Sequence, residues 1–269
     1  MTQQNTSAVK ELFNHIWNNY LEVTPSALKI HDLLSTGDDL INDHVAYRTF
    51  NIAKVNMNKL ADHLIALGYK ECGEYHFEAK KLYAKHYEHS DSTLPKVFIS
   101  ELLVEKFPQA IQDIIAKMVD AVDANATNKS SFLYSGTHWQ VSYDDYQTLL
   151  AESEYAAWMA AWGYRANHFT VSINHLENFD DIESVNTAVK NGGFSLNTSG
   201  GEIKGDKTVM LEQSSTIADK AEVAFTDQTV LIPSCFYEFA KRYPLANGEL
   251  YTGFVAASAD KIFESTNAK

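Results

Sequence analysis

Asn42-Asp43-His44-Val45-Ala46-Tyr47-Arg48-Thr49-Phe50 and Ala166-Asn167-His168-Phe169-Thr170-Val171-Ser172-Ile173-Asn174 are two versions of one pattern. Each is a strand-like run with a histidine near its start, and a helix-like segment follows each. Met57 to Leu67 carries the helical spacing after the first run and Ile182 to Lys190 after the second, with Gly68 and Gly192-Gly193 as stops. Strand candidates follow in both places. In the first they are 81–84, 86–88 and 97–102; in the second they are 208–211, 221–225 and 235–239. The order strand, helix, several strands therefore occurs twice, which predicts a duplicated module and an α+β fold.

Outside the repeat the pattern is helical. Val9, Leu12, Phe13, Ile16 and Trp17 recur at helical spacing, and Pro25-Ser26 opens a second short helix ending near Leu34. Residues 107–164 are mostly helical. We expect one domain over 1–269: N-terminal helices to 40, a first module at 41–106, a helical connection at 107–164 and a second module at 165–269.

Alternation on a strand puts His44, Ala46 and Arg48 on one face, and His168, Thr170, Ser172 and Asn174 on one face of the other. Imidazole is the commonest side-chain ligand for transition metals. Two imidazoles from matching places can converge on one ion, although a single strand histidine is more often packed or hydrogen-bonded. A third ligand is expected to be a carboxylate, because two histidines and one carboxylate leave open positions on iron. Glu238, between Tyr237 and Phe239, is the best candidate, and Glu101 is the rival in the corresponding run of the first module. Arg48 offers a planar fork for a substrate carboxylate; the bland alternative is an ion pair with Asp43 or Glu101. His86-Tyr87-Glu88-His89 puts its histidines on opposite strand faces and reads as structural or surface, and His138-Trp139 is a weaker candidate pocket wall.

Composition narrows the partners. There are 35 acidic and 22 basic residues, a formal charge of −13. That argues against nucleic acid or an anionic membrane as the main partner, since both require a basic surface. Two cysteines, Cys72 and Cys235, predict no disulfide framework and a reducing compartment. No apolar run is long enough for a bilayer, and the first residues lack a secretory pattern, so the expected location is the cytoplasm. The oligomeric state is left open.

At these residues the chain resembles the iron-dependent 2-oxoadipate dioxygenase/decarboxylases, or 2-hydroxyglutarate synthases. The resemblance is carried by 43–50, Gly136-Thr137-His138-Trp139, Asn167-His168-Phe169-Thr170, Phe236-Tyr237-Glu238-Phe239 and the tail 254–263. It implies a fold of vicinal oxygen chelate type, with two fused strand–helix–strands modules forming a curved central sheet around a metal site, and added helices. It implies Fe(2+) held by His44, His168 and Glu238, Arg48 gripping a substrate carboxylate, and a substrate contact just before the Ser-Ala of the tail, here Ala257. The implied reaction consumes O2 and a 2-oxo acid, most simply 2-oxoadipate, and yields 2-hydroxyglutarate and CO2. Two other classes stay open on the residues alone. One is a zinc or nickel isomerase or hydrolase on the same scaffold; the other is a non-catalytic binder of a small acidic metabolite.

Overall fold

The computed structural model describes residues 3–37 and 40–266. Two helices come first, α1 (Gln3–Leu21) and α2 (Pro25–Leu34). The first module is β1 (Asn42–Phe50), α3 (Met57–Ala66), β2 (Lys70–Phe77), β3 (Leu82–Glu88) and β4 (Lys96–Leu102). The connection holds α4 (Gln109–Asp120), α5 (Tyr143–Glu152) and α6 (Glu154–Trp162). The second module is β5 (Ala166–Ser172), α7 (Ile182–Asn191), β6 (Lys204–Asp206), β7 (Leu211–Ser215) and β10 (Phe236–Arg242). A hairpin, β8 (Lys220–Ala224) and β9 (Thr229–Pro233), is inserted before β10, and α8 (Ala256–Ile262) closes the chain.

One eight-stranded sheet runs β2-β3-β4-β1-β5-β10-β7-β6. Each half has the same internal order, with the last strand of the module lying parallel to the first. The halves meet where β1 pairs antiparallel with β5, with Val45 opposite Phe169. Both crossover helices also end alike. Gly68 and Gly193 take φ of +102° and +87°, a region open to glycine at no steric cost. The next residue then bonds back across the turn, Tyr69 N–H to Leu64 C=O at 3.1 Å and Phe194 N–H to Val189 C=O at 3.2 Å. The duplication is thus visible in register and in helix termination, where local sequence identity is low.

The expected strands need three corrections. Residues 82–84 and 86–88 belong to one strand, β3, with Lys81 in the turn before it, and the third strand of the first module is β2. β2 is a sheet edge with an exposed, polar start, so it lacks an apolar signature. The run 208–211 is mostly a turn, with Met210 at φ +63°, and β7 begins at Leu211. The run 221–225 lies in the separate hairpin, outside the main sheet.

β1 and β5 are buried along almost their whole length, so the sheet centre is covered on both sides. Trp17 of α1 meets the Phe169 ring edge-on at 4.9 Å and also packs on Tyr237, covering the face that carries Val45, Phe169 and Tyr237. The opposite face carries His44, Ala46, Arg48, His168 and Thr170. Among the described residues no helix is long and apolar enough to cross a membrane.

Candidate metal centre

Strand register assembles the site. His168 lies opposite Ala46 across the β1–β5 seam, and Thr170 lies opposite His44. In the parallel β5–β10 pair, Phe236 matches His168 and Glu238 matches Thr170. His44, His168 and Glu238 therefore share one face of three adjacent strands. Their ligand atoms all fall within 4.8 Å of one another. His168 Nε2 is 3.1 Å from Glu238 Oε2, and His44 Nε2 is 3.7 Å from Glu238 Oε1. The imidazole rings are 5.5 Å apart and nearly perpendicular. All three residues are buried, Glu238 completely.

Outer hydrogen bonds fix which ring nitrogens face inward. His44 Nδ1 is 2.8 Å from Asp43 Oδ1, and His168 Nδ1 is 3.0 Å from Asn167 Oδ1. Both partners are acceptors, so each Nδ1 carries the proton and each Nε2 presents a lone pair. Burial pushes the His168 pKa below its ordinary value despite Glu238. Burial alone would raise the Glu238 pKa. The His44 and His168 rings outweigh it, helped by Gln213, whose Nε2 donates to Oε1 at 2.6 Å, and the carboxyl is held below its usual range. The Thr170 hydroxyl donates to His44 Nε2 at 3.1 Å, but Glu238 Oε2 is buried without a hydrogen-bond partner. Two imidazole nitrogens and a carboxylate aimed at one another are stabilised by positive charge between them, whether a proton on a ring or a metal ion. The donor set fits a divalent metal, with nitrogen and oxygen ligands suited to iron, zinc or nickel.

The support behind the ligands extends further. Asp43 is held by Arg242, which donates from Nε at 2.6 Å and Nη2 at 2.9 Å. Burial would raise the Asp43 pKa, but Arg242 and His44 overcome this and hold it well below the carboxylate range. Asp43 thus stays anionic and keeps the His44 ring oriented. Sequence reading missed Gln213, Asn167 and Arg242 in these roles. Asp43 and Asn167 each immediately precede a histidine, which was the available signal. The roles of Gln213 and Arg242 depend on strand pairing.

Glu101 is not brought to the centre. Phe98 and Ser100 share the site face of β4 with their partners Ala46 and Arg48, so Glu101 faces the other side. There its Oε2 accepts the Met57 N–H at 3.0 Å and serves the start of α3, whose Asn56 makes no side-chain cap. Arg48 is on the site face and 2% exposed. Its Nη1 donates to both Glu154 oxygens at 3.1 and 3.3 Å, and its Nη2 to the Thr266 hydroxyl at 3.0 Å. The ion-pair partner is thus Glu154, neither Asp43 nor Glu101. The guanidinium also lies 4.9 Å from the Tyr155 and Trp158 ring centres, and its Nε is buried with no partner.

Ala257 is exposed and does not line the site cavity. The C-terminal wall is built by Phe254, Ala259, Ile262 and Phe263, and Ala257 lies two residues from Ala259, on the far side of α8. His138 bonds the Ser135 hydroxyl, and Trp139 donates to the Ala160 carbonyl within the helical connection; neither lines the cavity. His86 is buried rather than on the surface, between the Tyr75 hydroxyl and Glu88.

The cavity at the cluster has a volume of about 20 Å³ and is bounded by His44, Phe98, His168, Gln213 and Glu238 on the sheet side. A paired-module sheet whose central strands present two imidazoles and a carboxylate at one point forms a candidate metal centre. The family profile for 2-oxoadipate dioxygenase/decarboxylase matches residues 1–251, and the chain belongs to that family. The rice protein named 2-oxoadipate dioxygenase/decarboxylase, chloroplastic/amyloplastic, is 37% identical over 92% of this chain and 76% of its own length. The crystal structure of the hydroxyglutarate synthase from Oryza sativa in complex with 2-oxoadipate is 35% identical, covers 99% of this chain and 94% of that one, and superimposes with a TM-score of 0.91. A crystal structure from Shewanella frigidimarina, carrying the provisional name of a hydrolase, is 62% identical over 93% of this chain and 98% of that one, with a TM-score of 0.90.

Proposed function

We propose that this chain is an Fe(2+)-dependent dioxygenase that converts 2-oxoadipate and O2 to 2-hydroxyglutarate and CO2. The observation that carries the reading is the buried His44–His168–Glu238 cluster, with two inward lone pairs and an orphaned carboxylate oxygen, in a member of this family. The reaction balances without a second oxo acid: CO2 leaves with the two oxygens of the substrate's own carboxylate, one atom of O2 completes the new carboxylate and the other becomes the hydroxyl. Ferrous iron held by the three ligands would supply the redox chemistry that couples decarboxylation to hydroxylation.

The chain's own residues have separable tasks. Asp43 and Asn167 hold the imidazole tautomers, and Gln213 fixes the Glu238 carboxylate. Phe98, Phe254, Ile262 and Phe263 exclude water from the reacting end of the substrate. Arg48 lies on the same sheet face outside the cavity lining, with its terminal nitrogens held by Glu154 and Thr266 and its Nε buried without a partner; it would receive the carboxylate remote from the metal by giving up one of those partners. A cavity of about 20 Å³ has room for about one water. Admitting a six-carbon diacid therefore requires its C-terminal wall to yield.

The test is anaerobic iron loading followed by paired measurement of O2 consumed and CO2 released with 2-oxoadipate, 2-oxoglutarate and phenylpyruvate. Equal amounts of both gases with 2-oxoadipate are expected. No oxygen uptake with any of the three acids, from protein of verified iron content, would sink the reading in favour of an isomerase, a hydrolase or a binding protein.

A further inference from the structure

We propose that a second, polar chamber beside the metal cluster is an anion antechamber, in which Lys96 is the first cation to receive a carboxylate of the incoming 2-oxo diacid. The inference rests on the diacid reading above and adds the route and residue by which the diacid arrives.

The chamber has a volume of about 530 Å³ and is bordered by Asp43, Lys96, Ser172, His175, Arg242 and Glu249. It adjoins the cluster through the sheet. Lys96 is the register partner of His44, roughly 4.8 Å away on the neighbouring strand, and Asp43 both borders the chamber and bonds His44. Phe254 lies at the boundary of the two spaces, with Tyr75, His86 and Arg242 packed around its ring. The Phe254 ring meets His44 edge-on at 4.8 Å and lines the inner cavity, while Tyr251 and Thr252 just before it line the chamber. Arg242 tethers that segment, donating from Nη1 to the Tyr251 and Gly253 carbonyls at 3.0 and 2.8 Å.

Charge singles out Lys96. Every nitrogen of the Arg242 guanidinium is committed to Asp43 or to those carbonyls. The terminal nitrogens of Arg48 are committed to Glu154 and Thr266, and Lys204 Nζ to the Asn197 carbonyl. The Lys96 ammonium has no hydrogen bond or ion pair among the described residues, although the side chain is only partly exposed. The nearby acids are already engaged. Asp43 is neutralised by Arg242, Glu88 is bonded to His86 and attracts Lys96 only from beyond contact, and Glu249 is exposed at the rim, taking a hydrogen bond from Asn247. A partly desolvated ammonium that feels Asp43 and Glu88 only at a distance, with each of them bonded to another side chain, gains when a carboxylate arrives in direct contact. The need is real, because a chain of net charge −13 repels a dianion at long range and only a local cation reverses that field at the entrance.

Two measurements test the antechamber. In the first, lysines are labelled with acetic anhydride with and without adipate, and labelling is read by peptide mass spectrometry. Adipate should protect Lys96 several-fold and leave exposed Lys129 unchanged; equal labelling of Lys96 overturns the proposal. In the second, Lys96→Gln is compared with wild type on 2-oxoadipate. We expect kcat/KM to fall about tenfold at low ionic strength, through KM with kcat unchanged. The gap should narrow as salt is added and be smaller for 2-oxohexanoate, which lacks the distal carboxylate. A variant indistinguishable from wild type at low salt overturns the proposal while leaving the reaction intact. Adipate protection of Lys96 in a protein that never consumes oxygen would overturn the reaction and leave the antechamber standing.

Discussion

Across the site face, the second module presents Glu238, Gln213 and Lys204 on β10, β7 and β6. The same lattice positions of the first module present Phe98, Ala84 and Tyr75 on β4, β3 and β2. The backbones are alike; the side chains have divided the work. The polar stripe contributes the carboxylate and the amide that holds it. The apolar stripe contributes a wall, with Phe98 against the cavity and packed on Phe254 at 5.0 Å. A symmetric molecule would have offered two histidines and two carboxylates. Placing phenylalanine at one of the four positions leaves three candidate ligands and an apolar side, an arrangement suited to a metal that must also meet a substrate.

The largest effect should come from erasing that asymmetry. Glu238→Phe, which copies the first module, should lose stoichiometric metal on dialysis while keeping its circular dichroism spectrum; His44→Ala and His168→Ala should do the same. Full metal retention in any of the three, by elemental analysis, would break the assignment of that ligand. The reverse change, Phe98→Glu, adds a fourth donor. It should retain metal at chelator concentrations that strip wild type, yet lose oxygen consumption, because the side needed for substrate is filled.

Next in size is Arg48, the long cation of the first module's site face. Arg48→Lys keeps the charge but not the fork. Loss of a charge-assisted pair in a dry pocket should be about 2–5 kcal/mol, or about thirtyfold to a few thousandfold in kcat/KM. Glu154→Gln sharpens the meaning of that result. If Arg48 serves only its ion pair with Glu154, Arg48→Lys should lower Tm and leave the turnover of folded enzyme near wild type. If Arg48 receives substrate, the kinetic loss should appear with Glu154 intact.

Smaller again are the residues that hold ligands without touching the ion. Gln213→Ala should weaken metal binding about 10- to 100-fold, and Asp43→Asn should do likewise through His44. Competition against a chelator of known affinity measures both. An unchanged affinity in Gln213→Ala would mean that the Glu238 carboxylate is oriented by its buried setting alone.

The same parity that built the site explains what could be read beforehand. β1 and β5 were legible because their apolar residues alternate with a histidine-bearing face, and α2, α3 and α7 because spacing, Pro25 and the glycine stops agreed. Glu101 and Glu238 look equivalent in one dimension, each a carboxylate in an apolar run. Only register shows that Phe98, three residues before Glu101, is the true counterpart of Glu238. Ala257 failed for the helical version of the same reason: its role depended on the phase of α8, which a seven-residue helix does not reveal in sequence. The pairs Asp43–Arg242 and Gln213–Glu238 join distant strands and have no local signature. β2 was hidden because its edge position lets it be polar.

The smallest predicted effect lies at the far end of the polar stripe. Lys204 is 3% exposed, and its Nζ bonds the Asn197 carbonyl. Burial pushes its amine down to about 8, with Glu238 acting in the opposite direction. An unfolded lysine titrates near its ordinary value of about 10.4. Between those two values the unfolded chain binds more protons than the folded one, so Lys204 should make stability rise with pH across that window and contribute nothing further above it. Lys204→Met removes this titration, together with a charge that the core holds reluctantly. At pH 7 the variant should be within about 1–2 kcal/mol of wild type, since the lost bond to Asn197 offsets part of the relief. Other lysines and tyrosines also titrate in this range, so the informative quantity is the difference between the two proteins. Denaturant unfolding at pH 7.5, 8.5 and 9.5 should show wild type gaining stability relative to Lys204→Met at each step. Parallel curves would mean that Lys204 stays protonated in the folded state, and that the second module holds a charge on its site face without penalty, beside the Gln213–Glu238 pair.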